Sequence, residues 1–425
     1  MEGGHYGKAS GSRGPGQDPT LAAFTVALQQ ASDGERWYTS TEELQMTSMQ
    51  FCVACRSVTT LTLTVNSRTP ARLLAAAADA SYSRQKRFCS SLVPRLRARQ
   101  LVWKLQTANK LRKTTHAFAS ASSIVFCASF VGSLEGIAWP NRLKLLKFEY
   151  FGKYDAPIAG VAWPKSLERI DFGVEFNQPV EGVRWPASLQ RLSFGHLFDQ
   201  PVEGVAWPDS MTHIAFGERF NQPVEGVRWP SALQELTFGD AFNQPIKAVA
   251  WPKLLRRLEF GEAFDQRLEG VAWPPSLEEL TFGENFNWPV DEVTWPGSLR
   301  SLFVGRVSED CWPNKRIYFA SRFDQAIERA AWPGSLRQLS LGDQYEQSLK
   351  GLGSWMPNLE ELAFFPDRRS DYGRLLSGIE WPRGLRRLTV YEDADLDSVE
   401  VPPSVKVFRR RGPGAFASPL GPSHA

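Results

Sequence analysis

The sequence predicts a mainly β solenoid of about twelve coils of 22 residues, each contributing one short parallel strand, preceded by a small mixed or helical N-terminal region. Three observations predict it. Trp-Pro pairs place tryptophan at 163, 185, 207, 229, 251, 273 and 295, a spacing of 22 held through consecutive units, and self-similarity at such a period marks stacked-repeat architectures. Within each unit, leucine and phenylalanine alternate with period two, as in Leu192-x-Phe194, the pattern of a short strand with one buried face. Finally, the 15 tryptophans of this 425-residue chain are concentrated beside proline at that same period.

Each element of the unit has its own reason. In Trp185–Ala206 the strand comes first, with Leu189, Leu192 and Phe194 pointing inward. Gly195 permits a sharp exit. Phe198, Val202, Val205 and Trp207 supply the return side, where Pro201 and Pro208 forbid a regular helix or a central strand. The apolar side chains of one unit cannot offset the entropy of ordering its 22 residues, so the units must stack and share a core. Looser copies carry Trp139, Trp332, Trp355 and Trp381, and Val401-Pro402 is a worn final copy. The repeats thus run over 124–408, between an N-terminal region at 21–123 and disordered tails at 1–20 and 409–425.

The N-terminal region is less regular. Val58–Asn66 alternates strictly and reads as a strand, and Leu73–Ala80 reads as a short helix. Between Ala80 and Leu134 there are ten Lys or Arg and no Asp or Glu, so the rest of the chain, whose total is +3, is net acidic. Leu92, Leu96, Leu101, Leu105 and Leu111 recur at near-helical intervals there, which favours a solvated helical face over a phosphate-binding block. Cys52 and Cys55 lack a second pair to complete a four-ligand zinc site.

The columns of the repeat read as follows. The tryptophans form a buried aromatic spine, not a sugar-stacking track. Asn177, Asp199, Asn221, Asn243, Asp265, Asn287 and Asp324 form a turn ladder bonding the adjacent coil, not a metal ladder. Glu181, Glu203, Glu225 and Glu269 form a solvated edge. The outward strand position runs Arg169, Arg191, His213, Glu235, Arg257, Glu279, Ser301. Neighbours there sit about 4.8 Å apart, so its mixed signs partly neutralise one another and describe no phosphate track.

Three units are longer, between Phe148 and Tyr154, Val304 and Phe323, and Phe364 and Tyr372. All three excesses fall in one segment of the unit and should emerge along one edge of the solenoid. The candidate partner-binding residues are therefore Arg191, His213, Glu235, Arg257 and Glu279 on the strand face, with Trp312, Lys315, Arg316, Arg368 and Arg369 in the edge loops.

Phe176-Asn-Gln-Pro179, Phe220-Asn-Gln-Pro223 and Phe242-Asn-Gln-Pro245, with the Asp variants Phe198-Asp-Gln-Pro201 and Phe264-Asp-Gln-Arg267, resemble the FNIP repeat family. Trp207-Pro-Asp-Ser-Met211 is similar to the Ile-Pro-x-Ser-Val segment of the bacterial surface-antigen class of leucine-rich repeat, with Trp in place of Ile. The resemblance implies a leucine-rich-repeat-like curved solenoid used for protein interaction. Residues 20–120 show no F-box pattern of the kind some FNIP-repeat proteins carry.

No Gly-rich phosphate loop, nucleophile elbow or zinc-protease motif occurs. The chain therefore reads as a non-enzymatic, monomeric protein-interaction scaffold with no metal or cofactor. The alternatives are a parallel β-helix that acts on or binds carbohydrate, and an adaptor that binds nucleic acid or an anionic membrane through 80–123. Five cysteines are too few for a disulfide framework, no Asn-x-Ser/Thr acceptor is present, and Met1–Lys8 is not apolar. These features predict an intracellular, cytoplasmic chain.

Overall fold

The computed structural model describes residues 121–309, 317–366 and 371–410, and the backbone of strands Thr25–Gln30, Trp37–Tyr38, Val58–Val65 and Gln100–Leu105. These strands and those of the repeats form one 17-stranded sheet, parallel from Val58–Val65 onward. The sequence period is the strand spacing. Leu192 is in register with Ile170 and Ile214, and Leu236 with Ile214 and Leu258. Helix is confined, among the described residues, to single turns at Leu352–Trp355 and Tyr372–Leu375.

The N-terminal region joins the sheet. The strand expected from the alternation of Val58–Val65 is present, and Thr25–Gln30 pairs with it antiparallel. Gln100–Leu105 is a strand, which corrects the helical face inferred from leucine spacing: Leu101, Trp103 and Leu105 alternate, and the stretch lies between Val58–Val65 and Ser123–Phe126. Ladder pairing on both sides overrides a helical spacing of leucines. The expected helix at Leu73–Ala80 and the Cys52/Cys55 pair lie outside the described residues.

The core is a set of aromatic columns. Phe194, Phe216, Phe238, Phe260 and Phe282 stack on one another, each with a second ring about one turn further on. Phe238 and Phe242 are 4.0 Å apart between centroids, and Phe242 lies 6.1 and 6.3 Å from its equivalents Phe220 and Phe264. The tryptophans form a third column, with Trp163, Trp185 and Trp207 spaced 6.0 and 6.4 Å and all at most 9% exposed. From Trp139 to Trp295 the buried indole N–H groups of this column have no hydrogen-bond partner among the described residues, whereas Trp332, stacked on Trp295, donates to the Ile327 carbonyl at 2.9 Å. Buried area and stacking therefore hold the spine from Trp139 to Trp295, without polar anchoring.

Polar ladders fix the coil spacing at the edges. The Asn221 Oδ1 accepts from the Asn243 N–H at 2.9 Å and from Gln244 Nε2 at 3.0 Å. Asp199 does the same for Asn221 and Gln222, at 2.9 Å each. Asn and Asp interchange in this column because only the oxygen is used. On the Trp-Pro side, Ser210 and Ser298 donate to the carbonyls of Leu189 and Leu277 in the preceding coil, both at 2.7 Å. Asn221→Ala should therefore cost about 1–3 kcal/mol, because two donors lose their acceptor. Asn221→Asp should unfold in urea close to the wild type; equal losses for both variants would remove the ladder from the account.

Candidate interaction surface

The outward strand positions are brought together as expected. Arg169, Arg191, His213, Glu235, Arg257, Glu279 and Ser301 stand in register on successive strands. Acidic and basic side chains contact one another along part of the column. His213 Nε2 lies 3.2 Å from Glu235 Oε1, and Arg257 Nε lies 2.7 Å from Glu279 Oε2. Burial holds the His213 imidazole below its ordinary pKa, against the opposing pull of Glu235. The bond to Glu279 raises the Arg257 guanidinium. Ser301 is buried and donates to Gln338 Oε1 at 2.8 Å, so the open column ends before it.

The sequence reading missed a second column. The residue after each Phe-Gly runs His196, Glu218, Asp240, Glu262, Glu284, and His196 Nδ1 contacts Glu218 Oε2 at 2.6 Å. Glu218, Asp240 and Glu259 share one depression of about 120 Å³ with Thr237 and Thr281. The signal was legible in the run Phe216-Gly-Glu218, Phe238-Gly-Asp240, Phe260-Gly-Glu262, Phe282-Gly-Glu284. With this column included, the strands between 235 and 284 and the residues flanking them carry Glu235, Asp240, Glu259, Glu262, Glu278, Glu279 and Glu284 around Arg256 and Arg257, while Lys247, Lys253, Asp265, Arg267 and Glu269 lie elsewhere in the same coils. The middle of the face is acidic, not evenly mixed.

The three insertions leave their coils directly after the strand, as the in-register pairs Phe126–Phe148, Phe282–Val304 and Leu341–Phe364 show. The longest begins and ends as an antiparallel hairpin, Arg306–Glu309 with Ile317–Ala320. The shortest exposes Tyr150 and Phe151, 58% and 79% accessible, with ring centroids 5.0 Å apart edge to face. Trp312, Lys315, Arg316, Arg368 and Arg369 lie outside the described residues.

Stacked parallel strands with one exposed polar face define a leucine-rich-repeat-like solenoid. Two of its units match a known repeat: residues 220–263 fit the FNIP Repeat family model, a span that contains Phe220-Asn-Gln-Pro223 and Phe242-Asn-Gln-Pro245. Among solved structures the chain is similar to CroV588, described as a novel circular leucine-rich-repeat protein, at 29% identity over 74% of this chain and 46% of that one, with a TM-score of 0.55. The chain thus spans about half the length of that protein. An internalin, InlF, from Listeria monocytogenes overlaps at 14% identity, 69% of this chain, 88% of that one and TM-score 0.43. The structure of the Toll–Spatzle complex from Drosophila overlaps at 12% identity, 83%, 55% and TM-score 0.47. No curated protein matches the chain.

Proposed function

We propose that this solenoid is a non-enzymatic scaffold that binds a partner protein across the exposed face of its sheet, centred on the strands from Arg191 to Glu279 and flanked by the edge insertions. One observation carries the reading. The face is continuous in register over these strands and concentrates carboxylates from Glu218 to Glu284, with Arg256 and Arg257 among them. A field of one sign over a rigid surface steers and selects a partner of opposite charge, so the partner presents a basic surface.

The test reverses the field without touching the core. Glu235→Lys, Glu259→Lys and Glu279→Lys combined should remove proteins captured by the immobilised full chain and leave its thermal unfolding nearly unchanged. Deleting 306–315 should do the same where the hairpin contributes to the contact. Capture unchanged by both alterations would defeat the proposal. Binding of RNA or anionic vesicles that survives the triple change and falls steeply with salt would place the function in the basic segment 80–123.

A further inference from the structure

We propose that a depression toward the C-terminal end of the same face receives one cationic side chain, lysine or arginine, of the bound partner; this rests on the reading that a protein docks there. The depression holds about 200 Å³ and is walled by Phe303, Gln338, Glu361, Ala363 and Thr389. It exists because of side-chain size at one in-register position. Phe303, Ser340, Ala363 and Thr389 stand side by side on four strands, and the two small residues between the phenylalanine ring and the threonine leave a gap.

The polar groups around the gap select a cation. Glu361 is the only charged residue lining it. Its Oε2 is held weakly, 3.5 Å from Arg387, while its Oε1 makes no hydrogen bond among the described residues. The Arg387 guanidinium is drawn to the other side by the Phe408 ring, 4.8 Å away. Ser340, between Phe303 and Ala363, is 2% exposed, and its Oγ has no partner. Phe303 walls the same depression, and an aromatic ring attracts a cation placed over its face. An anionic side chain would meet Glu361, and an apolar one would leave the Glu361 Oε1 unpaired. At this volume the site holds one long side chain, below the roughly 300–1,000 Å³ of pockets for whole small-molecule ligands.

The experiment follows fluorescence anisotropy of labelled hepta-arginine, with hepta-glutamate as control, titrated with the full chain. Glu361→Gln removes the charge, and Ala363→Leu fills the gap without changing charge. Melting curves establish that each variant is folded. Each should weaken hepta-arginine binding about tenfold, the scale of a hydrogen bond to a charged group, and any hepta-glutamate bound by the basic segment 80–123 should be unaffected by either variant. The proposal is overturned if the wild type fails to bind hepta-arginine, or if Glu361→Gln leaves its affinity unchanged. Sensitivity to the Glu235/Glu259/Glu279 reversal alone would retain the face reading and remove the depression. Sensitivity to Glu361→Gln and Ala363→Leu alone would do the converse.

Discussion

Gly239→Ala should destabilise the solenoid by more than about 3 kcal/mol, above the usual range for overpacking by a methyl group. A Cβ at Gly239 would overlap the carbonyl oxygen of Gly217 and sit 2.8 Å from the Glu218 Cα. Both obstacles are backbone, so no rotamer change removes them. The coil cannot retreat either. The Ala241 N–H is bonded to the Glu218 carbonyl at 2.7 Å on one side, and the Phe238 N–H to the Glu259 carbonyl at 2.8 Å on the other. The same close approach recurs where Gly195 meets Gly173 and Gly261 meets Gly239. Gly297 is the control, since a Cβ there meets nothing within 4 Å. Urea unfolding should separate the two alanine variants widely, with Gly297→Ala within about 0.5 kcal/mol of the wild type. Equal midpoints would mean that the coils are not in contact at their glycines.

That column shows what the sequence revealed and what it concealed. Glycine after the strand was legible as a required position, but for the wrong reason: a sharp exit explains one Gly195, whereas its stacking on Gly173 requires the whole column. The Asn/Asp ladder was fully legible, because a short acceptor repeated every 22 residues has one economical use, bonding the adjacent coil. The spine of Trp163, Trp185 and Trp207 was legible from period alone. The face was harder. Reading only the column from Arg169 to Ser301 gave alternating charge, because the acidic residues after Phe-Gly lie outside the period-two strand pattern and join the surface only through stacking. Gln100–Leu105 was hidden by the leucines on either side, whose spacing imitates a helix; Leu101 pairs with Leu61, far outside the period, and the near-period match of Trp103 with Ile124 lacks the Trp-Pro signature.

Phe242→Ala should cost about 3–5 kcal/mol, the range for removing a large ring from a core that cannot collapse around the loss. The ring is fully buried and touches four others: Phe238 at 4.0 Å, Phe220 at 6.1 Å, Phe260 at 6.2 Å and Phe264 at 6.3 Å. Neighbouring coils cannot close over the cavity, because the Asn ladder and the glycine contacts on either side hold the spacing. The position also matters. In a one-dimensional stack, stability is a sum of coil terms and nearest-neighbour interfaces, and a lesion in the middle weakens both interfaces of one coil. Unfolding in urea should therefore be broader than that of the wild type, or split into separate steps. Val407→Ala is the contrast: Val407 occupies the equivalent of the inward Leu388 on the last strand, is 38% exposed and has a neighbouring strand on one side among the described residues. Its loss should cost less than about 1.5 kcal/mol and leave the transition single. Phe242→Leu, which keeps most of the apolar volume, should recover most of the midpoint. A Phe242→Ala variant that loses under 1 kcal/mol in a single transition would show that the aromatic columns are not what binds one coil to the next.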